Sequence, residues 1–135
     1  MVWYRKDKKT GEVSVSEASD AHSGNGHPLR VGLVGYGLGG STFHAPLVTA
    51  TPNLDLVAIA TSNAERVAKA KARYPSVHVY DTIEAMLAAE RLDLVVISTP
   101  HATHAPYARA ALAKGAHVVV DKPFATSSAA SLHCA

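Results

Sequence analysis

The sequence predicts an α/β fold, a doubly wound parallel sheet with helices on both faces, and three observations carry that prediction. Short apolar runs alternate with helix-patterned segments from Leu29 to Val120. The runs are apolar at nearly every position rather than every second one, as expected of parallel strands covered on both faces. Gly35, Gly37 and Gly40 stand at G-x-G-x-x-G spacing between the first run and the first helical segment, which is the setting of a nucleotide-phosphate cradle.

The elements follow in order. Residues 1–28 show no hydrophobic periodicity, and Ser14, Ser16, Ser19, Ser23, Gly24, Asn25 and Gly26 give them a linker-like composition. A disordered N-terminal extension is expected there. It offers no apolar core for a secretory signal, and its acids do not suit a mitochondrial presequence. Val31, Leu33 and Val34 suit a buried strand. A helix is expected from residue 38 to about 50, with Pro46 removing a backbone donor and kinking or restarting it. Residues 54–60 form a second buried strand. Ser62-Asn63-Ala64-Glu65 has the form of a capping box, with the Ser62 oxygen meeting a free N–H and Glu65 reaching back. The helix it opens is expected to reach about residue 74, before Pro75. Residues 77–80 read as a third strand, 81–91 as a capped helix, 94–97 as a fourth strand, 103–114 as a helix ended by Gly115, and 117–120 as a fifth strand. Right-handed crossovers then place helices on each face of the sheet.

Composition excludes several functions. At 135 residues, 47% hydrophobic and 18% charged, the chain has the make-up of one soluble globular domain. No uninterrupted apolar run approaches the ~20 residues that a membrane span needs. Cys134 is the only cysteine, which leaves no disulfide framework and points to a reducing, cytoplasmic compartment. A net charge of +2 is too small a field to imply nucleic acid. The basic cluster Arg5, Lys6, Lys8 and Lys9 is balanced by Asp7, Glu12, Glu17 and Asp20 and reads as a solvated tail.

The chemistry centres on the glycines. Gly35 permits a tight turn, Gly37 leaves room for a pyrophosphate and Gly40 lets the helix pack closely. The first amides of that helix lack partners within it, and its dipole favours an anion, so the backbone of Gly35, Tyr36, Gly37, Leu38, Gly39 and Gly40 is the candidate phosphate site. A P-loop would need G-x-x-x-x-G-K-[ST], and that lysine is missing. The alternative is a glycine-rich turn without a ligand.

The second strand ends in Thr61 and Ser62, where an enzyme using NAD usually offers an acid to the adenosine ribose. No acid stands there. Small hydroxyls with Arg66 one turn on suit a 2′-phosphate instead, favouring NADP, with NAD as the alternative and Glu65 as its ribose ligand. Ser62 as a plain helix cap and Arg66 as a surface cation is the competing reading. Lys122, at the carboxyl end of the fifth strand, lies on the ligand side of such sheets, where an ammonium can hold a substrate oxygen. His101 and His104 stand at i, i+3, but two histidines make a poor metal site, and no metal is assigned. His44 reads as a packed or surface histidine.

The run Ser98-Thr99-Pro100-His101-Ala102-Thr103-His104-Ala105-Pro106-Tyr107, with Ala110 to Gly115 and Val118-Val119-Val120-Asp121-Lys122-Pro123-Phe124, resembles the Gfo/Idh/MocA family of oxidoreductases. Gly35-Tyr36-Gly37 and Ser41-Thr42-Phe43-His44-Ala45-Pro46-Leu47 are most similar to the branch of NADP-linked scyllo-inositol dehydrogenases. The resemblance covers residues 29–125 and implies a Rossmann domain that binds NAD(P) for hydride transfer at a sugar or polyol CH–OH group. It implies that Thr99 and Pro100 run along the ribose and nicotinamide, that His104 opens the next helix, and that Lys122 is the active-site lysine, followed by a cis bond to Pro123. Asp121 stands where the family has Glu. Family members continue into a sixth strand and a second domain holding most substrate contacts, so the Rossmann fold is expected to be incomplete at its C-terminal end. Residues 126–135 then read as a truncated start of the next helix. With a Val-rich edge uncovered, self-association is expected. Polyol turnover is expected only with a second domain, and a stand-alone dinucleotide-binding module or sensor is the alternative.

Overall fold

β3 (Leu29–Val34) becomes the central strand because Val31, Gly32, Leu33 and Val34 are all buried, so both faces of the run need cover. The computed structural model describes residues 2–7, 9–16 and 26–121. In chain order the other elements are β1 (Val2–Lys6), β2 (Val13–Ser16), α1 (Ala45–Ala50), β4 (Leu54–Ala60), α2 (Ala64–Arg73), β5 (His78–Tyr80), α3 (Ile83–Ala89), β6 (Leu94–Ile97), α4 (His104–Ala113) and β7 (His117–Val120). The sheet order is β2-β1-β7-β6-β3-β4-β5. The five strands β7-β6-β3-β4-β5 are parallel, as the alternating pattern predicts. The chain leaves β3 toward β4 on one side and returns to β6 on the other, so a topological switch point lies between β3 and β6, where open α/β sheets take their ligands.

Two apolar layers cover the sheet. One gathers Ile83, Met86, Ala105, Ala108, Ala111 and Leu112 of α3 and α4 against Val95, Ile97, Val118 and Val120. The other sets Ala45, Val48, Ala70 and Tyr36 against Leu33, Ile59 and Val96. The alanine-rich face of α4 brings that helix close to the sheet.

Two local readings are corrected. Residues 2–6 and 13–16, in the stretch expected to be disordered, form a hairpin whose β1 pairs antiparallel with β7, Val2 opposite Val120 and Tyr4 opposite Val118. Its turn is held by Asp7, whose Oδ1 accepts from the N–H groups of Lys9 and Thr10 at 2.6 and 2.9 Å, and by Gly11 at φ +74°. The long-range partner, an open β7 edge, is invisible to local periodicity. That pairing also covers the Val-rich edge on which the expectation of self-association rests.

The cap of α2 is Asn63, whose Oδ1 accepts from Arg66 N–H at 3.1 Å. Glu65 reaches forward to Lys69 at 3.0 Å rather than back. Pro46 lies inside a helical backbone that runs from Leu38 to Ala50, and α1 restarts just before it, as its missing donor leads one to expect. A π-helical turn over Gly40–His44 precedes it. Residues 126–135 lie outside the described residues.

At the amino end of the sheet, Glu90 joins three elements. Its buried carboxylate accepts from Arg30 at 2.8 Å, from the Tyr80 hydroxyl at 2.7 Å and from His78 at 2.5 Å. Burial by itself raises the Glu90 pKa, but hydrogen bonds from His78 and Tyr80 and the charges of His78 and Arg30 outweigh it and hold the group below the usual carboxylate range. The Tyr80 phenol is raised because it donates to that carboxylate. A carboxyl depressed in the fold contributes stability above its unfolded pKa, near 4.3, and loses it as pH falls through the folded value. Glu90→Gln is therefore expected to cost about 1–2 kcal/mol at neutral pH, with the gap to the native chain closing below about pH 4. Thermal unfolding at the two pH values checks this, and melting curves that keep a constant separation would contradict it.

Candidate dinucleotide site

The site is built where β3 breaks into glycines. Gly35 has φ +93° and its N–H bonds Ala60 O at 2.9 Å. A side-chain carbon on Gly35 would lie 2.2 Å from the Ser98 carbonyl oxygen, and one on Gly40 would lie 2.1 Å from Gly35 O. The loop is thus folded on itself between the ends of β4 and β6. Ser41 closes the first turn, its N–H and Oγ both donating to Gly37 O at 2.9 and 2.7 Å. The helical backbone starts at Leu38, so its first amides have no carbonyl one turn earlier to bond.

A cleft of about 530 Å³ opens at the carboxyl ends of β3, β4 and β6, and it brings together Gly35, Gly37, Thr61, Ser62, Arg66, Thr99 and Pro100. Sequence reasoning selected all seven. Among the described lining residues Arg66 is the one cation, while Asp81 and Glu84 also line the cleft. The Arg66 guanidinium lies 3.5 Å from where a side-chain carbon on Gly37 would be, so it overhangs the phosphate end of the loop. Because Asn63 caps α2, the exposed Ser62 hydroxyl faces the cleft without a capping duty. A larger hollow, about 970 Å³, lies at the opposite end of the sheet beside Arg30, Glu90, Asp93 and Gly115. Ligands of open α/β sheets bind at the carboxyl ends, which favours the smaller cleft.

The other selected residues fall elsewhere. Tyr36 buries its side chain in the core, leaving only its backbone near the loop. Leu38 is exposed. Gly39 lies over β6, where a side-chain carbon would be 2.7 Å from Ser98 Oγ. His104 is fully buried and its Nε2–H donates to Thr99 O at 2.7 Å. It shapes the β6–α4 loop from beneath, together with Thr103, whose Oγ1 donates to Pro100 O at 2.7 Å. The exposed His101 ring packs edge-on against it, 5.5 Å between centroids. Lys122 and Pro123 lie outside the described residues.

One group escapes local sequence reasoning. His44 is buried, and its Nε2 meets Asp121 Oδ1 at 2.8 Å. The other oxygen of Asp121 accepts from Ser98 Oγ at 2.9 Å. These residues are 77 and 23 positions apart in the chain, and no short-range pattern links them.

Fold and cleft together define an α/β domain of the Rossmann class, with a dinucleotide cradle at the switch point. The chain belongs to the Gfo/Idh/MocA oxidoreductases: the family described as "Oxidoreductase family, NAD-binding Rossmann fold" matches residues 29–134. It therefore carries the family's NAD-binding domain. It is 48% identical over 96 residues to "Uncharacterized oxidoreductase YdgJ" of Escherichia coli, covering 71% of this chain and 27% of that protein. It is 33% identical over 100 residues to the scyllo-inositol 2-dehydrogenase (NADP(+)) IolW of Bacillus subtilis, covering 74% of this chain and 27% of that protein. The crystal structure of an NAD-binding protein from Listeria innocua superposes with a TM-score of 0.71 at 35% identity, over 78% of this chain and 31% of that one. The chain thus spans about a quarter to a third of the length of these relatives. Among the described residues, no helix is long and apolar enough to cross a membrane.

Proposed function

We propose that the chain binds NADP in preference to NAD, as the cofactor-binding part of an oxidoreductase that moves hydride between the nicotinamide and a sugar or polyol CH–OH group. The single observation that carries this is the cleft itself. It joins a glycine loop, with the Arg66 guanidinium over Gly37, to Thr61 and Ser62 at the end of β4. A pyrophosphate fits the amides of residues 37–40, and a 2′-phosphate fits Arg66 with Ser62 beside it. The name of the Bacillus subtilis relative, an NADP(+)-linked scyllo-inositol dehydrogenase, supports both the cofactor and the substrate class.

When bound, the nicotinamide supplies the hydride acceptor. The chain's own residues hold and orient it: Thr99 and Pro100 border its ribose side, His104 fixes the Thr99 carbonyl, and Lys122, next after Asp121, is the proposed partner of the substrate oxygen. Polyol oxidation is proposed to need a second domain, so the chain alone is expected to bind nucleotide without oxidising polyols. The hairpin that covers β7 favours a second reading, a self-contained dinucleotide-binding module.

Titration of the purified chain with NADPH and NADH at one ionic strength, read by nucleotide fluorescence, tests the proposal. NADPH is expected to bind about tenfold or more tightly than NADH, from one charge-assisted contact. Equal affinities would remove the NADP preference, and absence of saturable binding would remove the cofactor reading. NADPH production from NADP and inositol by the chain alone would overturn both its expected inactivity and the module reading.

A further inference from the structure

We propose that His44, Asp121 and Ser98 form a clasp that seats the nicotinamide half of the dinucleotide, with His44 as a positioning residue acting through Asp121. The inference rests on the dinucleotide reading above and assigns a role to residues that reading leaves unused.

Asp121 is an acceptor with two oxygens, and each takes a donor from a different element: His44 at 2.8 Å from the turn after the glycine loop, Ser98 at 2.9 Å from the end of β6. Its own N–H continues the β-ladder to Ile97 O at 3.2 Å. The carboxylate is therefore fixed at backbone and side chain, and it is tied to the cleft through Ser98, which lines it. His44 is 7% exposed at its side chain and Asp121 37%, so one side of the carboxylate remains open to solvent while the histidine that orients it is enclosed. An ionised carboxylate only accepts, which makes His44 Nε2 a donor.

The local backbone delivers this contact. In the π-helical turn Gly40–His44, Ala45 N–H bonds Gly40 O. The extra residue turns later side chains by about 100° relative to an uninterrupted α-helix. His44 faces inward while Phe43 is exposed. Gly39 has no side chain to collide with Ser98 Oγ, which a carbon there would approach to 2.7 Å.

Position in the sheet assigns the half of the ligand. Arg66, Thr61 and Ser62 mark the β4 side of the switch point as the adenosine side. The clasp lies across β3, at the ends of β6 and β7, where a dinucleotide crossing the crevice sets down its nicotinamide.

The test compares two ligands, NADPH and 2′-phospho-ADP-ribose, which lacks the nicotinamide. His44→Ala is expected to weaken NADPH binding by about tenfold and to change the fluorescence of the bound nicotinamide, while 2′-phospho-ADP-ribose binds as tightly as to the native chain. His44→Gln retains an N–H for Asp121 Oδ1 and is expected to restore NADPH binding. Equal loss for both ligands would reduce His44 to a structural role and overturn the proposal, as would no loss for either. A native chain that binds 2′-phospho-ADP-ribose as tightly as NADPH would overturn it while leaving the adenosine site intact. A native chain that binds neither would overturn the dinucleotide reading and the clasp together. If His44→Ala does not fold, Ser98→Ala is expected to give the same ligand-selective loss, and equal or absent losses there would overturn the proposal in the same way.

Discussion

A Gly35→Ala chain is expected to lose about 2–5 kcal/mol of stability and all saturable dinucleotide binding. Two effects add. Gly35 sits at φ +93°, which costs about 1–3 kcal/mol for a residue with a side chain. The new methyl would also lie 2.2 Å from the Ser98 carbonyl oxygen, and that atom belongs to a strand end rather than a flexible side chain. Either the β3–α1 loop or the end of β6 must move, and both border the cleft. Gly37→Ala provides the contrast. The nearest atoms to its methyl would be those of the Arg66 guanidinium, at 3.5 Å, an ordinary contact with a side chain that can swing away. That variant is expected to keep its melting temperature and still lose binding, because the methyl occupies the space left for a phosphate. Chemical denaturation with nucleotide titration separates the two, and a Gly37→Ala chain that binds as tightly as the native one would place the phosphate elsewhere.

Arg66→Ala is expected to lower NADPH affinity by about 10–100-fold, as for a hydrogen bond to a charged group, and NADH affinity far less. The reason is position: among the described residues, Arg66 is the one cation lining the cleft, which also holds Asp81 and Glu84. Without the guanidinium, those acids leave a 2′-phosphate with net repulsion, whereas a ribose hydroxyl is indifferent or finds an acceptor. The loss should shrink as salt rises, because Arg66 is exposed. Equal losses for the two nucleotides would move Arg66 from the 2′-phosphate to the pyrophosphate, which its place over Gly37 also allows.

Much of this was legible in the chain because the relevant physics is local. A run such as Val95-Val96-Ile97 is apolar on both faces, and the glycine spacing reports backbone approach directly. Five of the cleft residues, Gly35, Gly37, Thr61, Ser62 and Arg66, follow from those two patterns plus the end of β4, whereas Thr99 and Pro100 come only from the family resemblance. What escaped depends on distant partners. Val2 to Lys6 carries strand-forming residues in a polar context, and it pairs because β7 presents an edge more than a hundred positions later. The Asn63 cap shows the limit of a motif: Ser62 and Asn63 are both good caps, and only the backbone decides which oxygen reaches Arg66 N–H. His44 and Asp121 meet through a π-turn that one residue of register creates, so an ideal helical wheel points the imidazole the wrong way.

The central claim, that the amides after β3 hold a dinucleotide, is tested most directly by residue-resolved amide NMR of the chain titrated with NADPH. The account predicts saturable shifts at Gly37, Leu38, Gly39 and Gly40, joined by Ser62 and Thr99 across the cleft. Saturable shifts confined to Arg30, Asp93 and Gly115, at the hollow on the opposite end of the sheet, would contradict it, and so would a spectrum that NADPH leaves unchanged.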